Sequence, residues 1–414
     1  MSRPPSRAER GAASKGEHVE LGECPVVSYP MQRQDPFHPP AEYEALRAQA
    51  PVVPARLSFA GDRPAWLVTR FKEAREVLAD TRFSSDSRLP GFPVRRAHST
   101  LIRMDPPEHT RYREMINHEF VGRRVAELRP VIEELTDRLL DAVAAGPARS
   151  DLLPALAMPL PSLVICHLLG VSYADHVFLQ ERTADALRAT STPEEIDEAV
   201  ADLGRYMDGV VRSKIDTPGD DIISRLVTDH VRTGACTPEV AADLARLLLV
   251  AGHVTTVNMI GLGILTLLQH PDQLDELRRN ERLIGPAVNE LLRHLTITPS
   301  LARVATQDVE VGGTLIRAGE GVMILLSSAN RDEREFQHPD AFDIHRTERG
   351  NLALGWGPHL CLGAALARLE LQIVITRTLR RFPSLRLAVD LDSIPFRHKV
   401  NIYGVHELPV VWDE

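Results

Sequence analysis

The chain has 414 residues, of which 43% are hydrophobic and 25% charged, a composition typical of a folded globular protein with a sizeable core. A formal net charge of −9 and the lack of a basic run argue against DNA binding. An aromatic content of 5% argues against a stacking surface for single-stranded nucleic acid. The 4 cysteines lie far apart and form no C-x-x-C pair, which argues against a zinc ribbon or a disulfide framework.

No targeting or membrane segment is predicted. The N-terminus lacks the apolar core of a signal peptide, and we find no run of about 18 consecutive apolar residues, the length of a transmembrane helix. We therefore expect a cytoplasmic protein that does not bind membranes. Residues 1–27 are polar and rich in Gly, Ala and Ser, which predicts a flexible tail. Residues 28–414 are predicted to form a single domain.

The first half of the chain is predicted to be mainly helical. After a helix at residues 41–48, a strand at 66–69 and a helix at 73–78, a Pro- and Gly-containing loop is expected at 84–100. The next helix is predicted to take Asp105 as its N-cap, Pro106 at the first helical position and Glu108 at the third. Further helices are predicted at residues 125–145, 154–170, 174–189 and 193–214, followed by a turn at 219–221.

One long helix dominates the second half. Thr237 is a suitable N-cap, Pro238 suits the first turn, and Pro271 supplies the stop. The helix would span roughly 50 Å, and it is apolar on all sides through residues 247–250, which indicates a buried central helix. Strands are predicted only late, at residues 309–311, 321–326 and 402–411. The fold class is therefore mainly α with small β-sheets near the two ends of the chain.

The most specific motif is the cysteine loop GWGPHLCLG, residues 355–363. Gly355, Gly357 and Gly363 allow backbone turns and close approach. Cys361 sits just before a predicted helix, where unpaired N–H groups and the helix dipole favour a thiolate anion. A thiolate ligand donates electron density to haem iron and helps to break the O–O bond of dioxygen. An isolated cysteine would more often be structural, but this spacing predicts a haem ligand.

A second motif, AGHVTT, occupies the middle of the central helix at residues 251–256. Gly252 costs about 1 kcal/mol relative to Ala within a helix, so a functional reason is expected. The hydroxyl of Thr255 can donate to the carbonyl of Ala251 four residues earlier. This bond would open a groove wide enough for O2 and water. Small residues for helix packing are the alternative explanation.

Two further sets of charged residues are predicted to share a face. Glu290 and Arg293 are three apart on a helix within an apolar stretch, which favours a buried pair with a structural role. His109 and Arg113 are four apart, and with Arg303 and His359 they would suit two carboxylates. Haem carries two propionates. Each of these four residues taken alone would more often lie on a solvated surface.

With these motifs the chain resembles the cytochrome P450 monooxygenases, specifically the soluble actinobacterial type served by a ferredoxin. The resemblance runs from about residue 30 to the C-terminus and includes the motifs MDPPEHTR (104–111), PSLVI (161–165), ANRD (329–332) and IYGV (402–405). It implies the cytochrome P450 fold, a haem-thiolate monooxygenase domain in which haem b lies between the long central helix and the helix after Cys361.

The resemblance also implies roles for individual residues. Cys361 is the axial metal ligand, Thr255 hydrogen-bonds dioxygen, and Glu290, Arg293 and Arg346 lock the core that supports the cysteine loop. The predicted haem-binding residues are His109, Arg113, Ala251, Gly252, Arg303, Leu354, His359, Cys361 and Gly363.

Two positions depart from the family pattern. Leu354 stands where the cysteine loop usually begins with Phe. A smaller side chain there is expected to alter packing on the thiolate side of the haem and so the redox potential of the haem. Val254 stands where the family usually has Glu or Asp before the dioxygen-binding Thr, and valine has no proton to relay. We hypothesise that protons come instead through ordered water, through Thr255 or Thr256, or from the substrate.

The expected reaction inserts one oxygen atom from O2 into a hydrophobic small molecule, such as a polyketide or steroid. Electrons are expected from NAD(P)H through ferredoxin reductase and a ferredoxin, and the protein is expected to be a monomer. Candidates for the ferredoxin-docking surface are Arg111, Arg123, Arg124, Arg349 and Arg368. The predicted substrate pocket is lined by segments 88–100, 187–193, 297–301 and 400–402 and by Val250 on the central helix. The residues predicted to contact substrate are Leu89, Val250, Ile297, Leu301 and Ile402.

Two other functions stay open at this point. One is a haem-thiolate enzyme with altered chemistry, either peroxide-driven or non-hydroxylating, because the acid before Thr255 is replaced by Val254. The other is a non-catalytic haem sensor, which would need an output module for which the chain leaves no residues.

Overall fold

The computed structural model describes residues 26–94, 101–187, 192–348, 350–397 and 402–413. Residues 1–25 of the predicted tail, Arg349, and parts of three predicted pocket segments (residues 95–100, 188–191 and 400–401) lie outside the described residues. The proposed division into a tail and a single domain stays a prediction.

Helices form most of the described chain. They are α1 (Glu42–Gln49), α2 (Phe71–Ala79), α3 (Glu108–Asn117), α4 (Gly122–Glu127), α5 (Arg129–Ala144), α6 (Pro159–Leu169), α7 (His176–Leu187), α8 (Pro193–Asp216), α9 (Ile222–Leu226), α10 (Pro238–Leu268), α11 (Pro271–Arg279), α12 (Ile284–Leu295), α13 (Leu326–Ala329) and α14 (Ala364–Arg381). A π-helical turn, Leu153–Ala157, precedes α6.

The predicted central helix is confirmed as α10. The Thr237 hydroxyl accepts a hydrogen bond from the backbone N–H of Val240, and Pro238 opens the first turn, as its sequence signals require. The helix contacts α6, α8, α12 and α14. Its apolar side chains therefore pack against neighbours on several sides, which explains why no polar stripe runs along it.

By length and composition, α10 would also be able to cross a membrane. Its most apolar window has a mean hydropathy of 1.7, and 67% of that window is buried inside the fold. The argument from the sequence that no segment is long and apolar enough to span a membrane was therefore wrong for this helix. Its burial is that of a core helix.

The strands form three sheets, and most of them were not predicted. They are β1 (Val27–Tyr29), β2 (Val52–Leu57), β3 (Arg63–Val68), β4 (Phe83–Ser84), β5 (Arg149–Asp151), β6 (Leu301–Ala305), β7 (Val309–Val311), β8 (Thr314–Ile316), β9 (Gly321–Ile324), β10 (Arg386–Leu387) and β11 (Pro409–Val411). The sheet orders are β1-β2-β3-β9-β6-β4, β10-β11-β5 and β7-β8.

The largest sheet corrects the expectation that the sheets lie near the two ends of the chain. It joins strands from the first quarter of the sequence to β6 and β9, so its pairing is set by tertiary contacts. In the antiparallel pair β4–β6, Ser84 lies opposite Val304. This register brings the residues just after β4 close to Arg303 at the edge of the sheet.

The start of α3 also differs from the prediction. Pro107 precedes the helix, and no side chain caps it. The Asp105 carboxylate instead accepts hydrogen bonds from the Ser84 hydroxyl and from the backbone N–H of Ser85, the latter at 2.8 Å. The predicted N-cap is wrong because this carboxylate is fully engaged by the corner after β4.

A glycine near the C-terminus tests the packing against α10. A Cβ added at Gly404 would lie 1.6 Å from Oδ1 of the buried Asn258. We expect Gly404→Ala to lower the free energy of unfolding by about 1–3 kcal/mol, the usual cost of overpacking a core, as measured by urea denaturation.

Gly204→Ala is the matched control. Gly204 lies within α8, and a Cβ there has no neighbour within 4 Å. Replacing a helical Gly by Ala stabilises by roughly 0.5–1 kcal/mol, so this variant should gain stability. An equal response of both variants would contradict the packing argument.

Candidate active site

The cysteine loop is held against α2 and ends at Gly363, directly before the first residue of α14. Gly357 has φ +70°, and a Cβ there would lie 2.5 Å from the carbonyl oxygen of Leu78, so this position requires Gly. The backbone N–H of Cys361 donates to the carbonyl of Leu354 at 2.9 Å. Gly363, by contrast, has ordinary backbone angles and open space around it. No positive φ therefore requires glycine at this position, and its predicted close approach to haem stays a prediction.

The Cys361 side chain is accessible yet surrounded by protein. Its low-dielectric surroundings raise the pKa of the thiol, while the backbone N–H of Gly363 and the charges of Arg113 and Arg368 lower it. The helix start thus acts in the predicted direction, but burial outweighs it. A bound metal cation deprotonates a coordinating thiol outright, so the anion that the motif requires would come with the metal.

The four predicted propionate ligands gather beside this loop. The rings of His109 and His359 lie 4.1 Å apart between centroids, and both nitrogens of the buried His109 lack a hydrogen-bond partner among the described residues. Arg303 is buried, and within the described part of the chain its side chain donates to the carbonyl of Ala302.

Charge and burial shift the pKa values of these groups. Burial is the largest cause in each case, lowering the pKa of His359 to about 3 and that of Arg303 to about 10. Burial likewise lowers the pKa values of His109 and Arg113. Among the residues that the structure describes, none of the four forms an ion pair with a carboxylate. The cluster therefore holds two buried residues, His109 and Arg303, and two half-buried ones, Arg113 and His359. The Asp105 carboxylate lies near enough to raise the pKa values of His109 and Arg303, but it forms no ion pair with any of the four.

Two residues at this cluster were missed from the sequence. The Ser85 hydroxyl lies 3.1 Å from Nε2 of His359, and the Asp105 carboxylate holds the backbone of Ser85. Two serines at the end of a short strand carry no recognisable sequence signal of a cofactor site, and Asp105 was interpreted as a helix N-cap.

The middle of α10 shows the predicted threonine bond. The Thr255 hydroxyl donates to the carbonyl of Ala251 at 2.9 Å, and Ala251 is exposed. One turn further on, Nδ2 of Asn258 donates to the carbonyl of Val254 at 2.7 Å, while its Oδ1 is buried without a hydrogen-bond partner. Both side chains thus bond backbone carbonyls along the same stretch of helix.

Three residues close to Thr255 in the sequence, Gly252, His253 and Thr256, have surroundings that differ from those of Thr255. A Cβ at Gly252 would lie 3.3 Å from Cδ1 of Ile165 on α6, so helix packing explains this glycine better than the predicted cofactor contact. Thr256 is buried, and successive helical residues point about 100° apart. His253 faces the carbonyl of Met158, and burial lowers its pKa to about 4. It is therefore a neutral group that faces α6.

Glu290 and Arg293 form a buried ion pair, as their spacing on α12 predicts. Nε and Nη2 of Arg293 each lie 2.7 Å from a different carboxylate oxygen of Glu290. Nε of Arg346 reaches the same carboxylate at 3.1 Å. Arg293 also donates to the carbonyl of Asn330, whose own side-chain oxygen accepts from the backbone of Leu352, just before the cysteine loop.

The predicted pocket residues divide between different parts of the core. Val250, Ile297 and Ile402 belong to the main hydrophobic cluster, and the backbone N–H of Tyr403 donates to the carbonyl of Ile297 at 2.7 Å. Leu301 packs with the cluster around β9, and Leu89 packs with the cluster around β2 and β3. The structure therefore groups three of the five residues.

The chain is similar to known proteins over nearly its whole length. Residues 189–395 match the family model for cytochrome P450. Cytochrome P450-SU2 from Streptomyces griseolus is 47% identical over 387 residues, which cover 91% of this chain and 94% of that protein. Pentalenic acid synthase from Streptomyces avermitilis is 44% identical over 394 residues, which cover 93% and 97% of the two chains. The chain belongs to the cytochrome P450 family.

A solved structure of another cytochrome P450 confirms the fold. The mycinamicin VIII C21 methyl hydroxylase from Micromonospora griseorubida, bound to mycinamicin VIII, superposes with a TM-score of 0.88 at 40% identity and covers 94% of this chain and 100% of its own. The protein is therefore a cytochrome P450 monooxygenase that uses haem, dioxygen and electron transfer and acts on a small molecule. The peroxide-driven or non-hydroxylating alternative is not supported by the relatives.

The residues of this P450 fit a haem. Both ring nitrogens of the buried His109 are unpartnered, and Arg303 is a buried cation without a carboxylate partner among the described residues. A buried cation is costly unless it is paired, and the two propionates of haem would supply the missing anions. Cys361 presents an accessible thiol beside them.

The Glu290–Arg293–Arg346 network provides a stability test. Glu290→Gln leaves the inaccessible Arg293 without its anion, while Arg346 keeps its second pair with Glu348. Breaking a buried pair in this way costs about 3–5 kcal/mol. We expect the free energy of unfolding to fall by this amount in a urea titration of the haem-loaded protein.

Glu127→Gln serves as the control. Glu127 pairs with Arg123 on the exposed face of α4, where an ion pair contributes about 0–1 kcal/mol. If Glu290→Gln were as mild as this control, the network would not stabilise the core.

Proposed function

We propose that this cytochrome P450 hydroxylates a bulky hydrophobic natural product, with Cys361 as the thiolate ligand of haem b. The observation that carries the proposal is an accessible thiol just before α14 beside a cluster of donors that form no ion pair with a carboxylate among the described residues, and in which both ring nitrogens of the buried His109 have no partner there. When bound, a thiolate-ligated haem would activate dioxygen so that one of its oxygen atoms is inserted into a C–H bond of the substrate.

The chain's own residues would position this chemistry. His109, Arg113, Arg303 and His359 would hold the propionates by charge-assisted hydrogen bonds. The network of Glu290, Arg293 and Arg346 supports this arrangement because it fixes α12 to the segment before the cysteine loop. The hydroxyl of Thr255 would release its hydrogen bond to the carbonyl of Ala251 and donate a hydrogen bond to dioxygen instead.

The substrate class is proposed from the relatives and from the core. One relative is named for pentalenic acid, and a solved relative is bound to mycinamicin VIII. Val250, Ile297 and Ile402, the three predicted pocket residues that share a hydrophobic cluster, would present apolar surface to such a molecule, which favours a hydrophobic ligand.

We propose that a ferredoxin, reduced by NAD(P)H through its reductase, docks beside the cysteine loop of a cytoplasmic, monomeric protein. Arg123 and Arg124 on α4 are exposed, and α4 contacts α14, so they suit a basic docking surface. Two of the predicted docking arginines are engaged elsewhere. Arg111 donates to the carbonyl of Ala235, and the half-buried Arg368 bonds Ala364 within α14.

Val254 would make proton delivery depend on water. His253 is the only acid–base side chain in residues 251–258, and it faces the carbonyl of Met158 as a neutral imidazole. Ordered water reaching Thr255, or a hydroxyl of the substrate, would then carry the protons that a carboxylate usually relays.

A carbon monoxide difference spectrum tests the haem ligand. The reduced, haem-loaded protein should show a strongly red-shifted Soret band, because a thiolate is the axial ligand. Cys361→His should retain haem but lose this band. Cys166→Ala, which changes a buried cysteine on α6, should keep it. A red-shifted band in Cys361→His would refute the assignment.

Restoring an acid at position 254 tests proton delivery. General acid–base groups typically contribute about 10²–10⁴-fold to a rate, so Val254→Glu should raise product formed per NADPH consumed and lower peroxide release. The substrate would be a macrolactone that shifts the Soret band of the oxidised protein. Val254→Leu, which adds no proton donor, should leave the ratio unchanged. Equal ratios in the two variants would contradict the hypothesis.

A further inference from the structure

A hydroxyl outside the predicted site contacts one of the proposed propionate ligands. Oγ of Ser85 and Nε2 of His359 are hydrogen-bonded at 3.1 Å, and Ser85 is only 1% exposed. His359 lies in the turn two residues before Cys361, so its ring is carried by a loop. A ring on a loop needs a fixed partner if it is to keep one orientation.

Ser85 and the preceding Ser84 are both held by the carboxylate of Asp105. Its backbone N–H donates to Oδ1 of Asp105 at 2.8 Å, and the Ser84 hydroxyl donates to the other oxygen of the same carboxylate. β4 pairs with β6 through Ser84 and Val304, next to Arg303. The Ser85 hydroxyl therefore lies at the same end of the β4–β6 pair as Arg303, a second proposed propionate ligand.

The contact uses only one of the two nitrogens of His359. Nδ1 of His359 has no hydrogen bond to another residue in the described part of the chain, while the ring leans against His109 at 4.1 Å between centroids. Binding Nε2 fixes the rotation of the ring and leaves Nδ1 available. Metal-site histidines are oriented in the same way by partners on their second nitrogen.

We propose that Ser85 is a positioning residue for the cofactor: its hydroxyl, anchored through Asp105, orients His359 toward a haem propionate. The inference rests on the proposed assignment of His359 to the propionates. It links the corner after β4 to haem retention and to the potential of the iron, although Ser85 does not itself contact the reacting atoms.

Haem retention and reduction potential of the haem-loaded protein test the inference. Haem loss would be followed by transfer to excess apomyoglobin, and the potential by spectroelectrochemical titration. Partners of this kind typically contribute about 10–100-fold to affinity, so Ser85→Ala should speed haem loss by about tenfold and shift the potential. Ser85→Ala keeps the backbone bond to Asp105, and Ser85→Thr, which keeps a hydroxyl, should restore both values.

Ser87→Ala is the matched control, because Ser87 is equally buried nearby and its hydroxyl has no hydrogen-bond partner. It should behave like the unaltered protein. If Ser85→Ala and Ser87→Ala give the same haem loss and the same potential, the inference is overturned.

A double-mutant cycle separates this inference from the proposed function. In a His359→Ala background, Ser85→Ala should have no further effect, because its action passes through the ring. An undiminished effect there would overturn the positioning role but not the assignment of His359. Unchanged haem loss in His359→Ala alone would overturn that assignment and the inference with it.

Discussion

The structure around the cysteine loop depends on a cluster of donors that forms no ion pair with a carboxylate among the described residues. His109, Arg303 and His359 come from a helix, a strand and a loop that are far apart in sequence, and burial lowers the pKa of each. A buried cation is tolerated only when a counter-charge or a full set of hydrogen bonds compensates for lost hydration. In this cytochrome P450 the fold therefore carries a local cost, which haem propionates would offset if they bind here as we propose.

The same constraint explains why so much of the surrounding structure is rigid. Ser84 and Ser85 are tied to Asp105, β4 is paired with β6, and α12 is fixed to the segment before the cysteine loop by the carboxylate of Glu290. Each connection is a hydrogen bond or ion pair with little access to solvent, where it is strong when complete and costly when broken. Several rigid elements thus converge on one cofactor.

Local signals predicted the helices well and the sheets poorly. The caps and apolar pattern of α10 are contained within the helix itself, so Thr237 and Pro271 mark its ends from sequence alone. The pairing of β4 with β6 joins residues separated by more than half of the chain, and no local pattern encodes it. Asp105 shows the same limit, because a favourable N-cap position was overridden by two donors from a distant corner.

The site itself was predictable where one residue type is chemically required. The spacing of Glu290 and Arg293 is common by itself, and their apolar surroundings predicted the buried ion pair that the structure contains. The glycine spacing around Cys361 predicted its thiol before a helix, where it lies accessible, and its role as a metal ligand stays a prediction. Gly252 packs against Ile165, the alternative that the sequence left open, and Gly363 needs no positive φ, because a glycine in a sequence does not reveal what lies beside it. Ser85 was invisible for the opposite reason: its importance lies wholly in one tertiary contact.

The middle of α10 combines these limits. Val254 removes a carboxylate, His253 turns toward α6, and the carbonyl of Val254 is already bonded by Asn258. The helix therefore presents Thr255 as its one hydroxyl beside the exposed Ala251, and that hydroxyl is bonded to a carbonyl. Neither neighbouring side chain can release a proton at neutral pH. Under the proposed assignment of Thr255, the efficiency of the reaction would follow from how water and substrate share the space next to it, and substrate fit would govern proton supply as well as the site of oxidation.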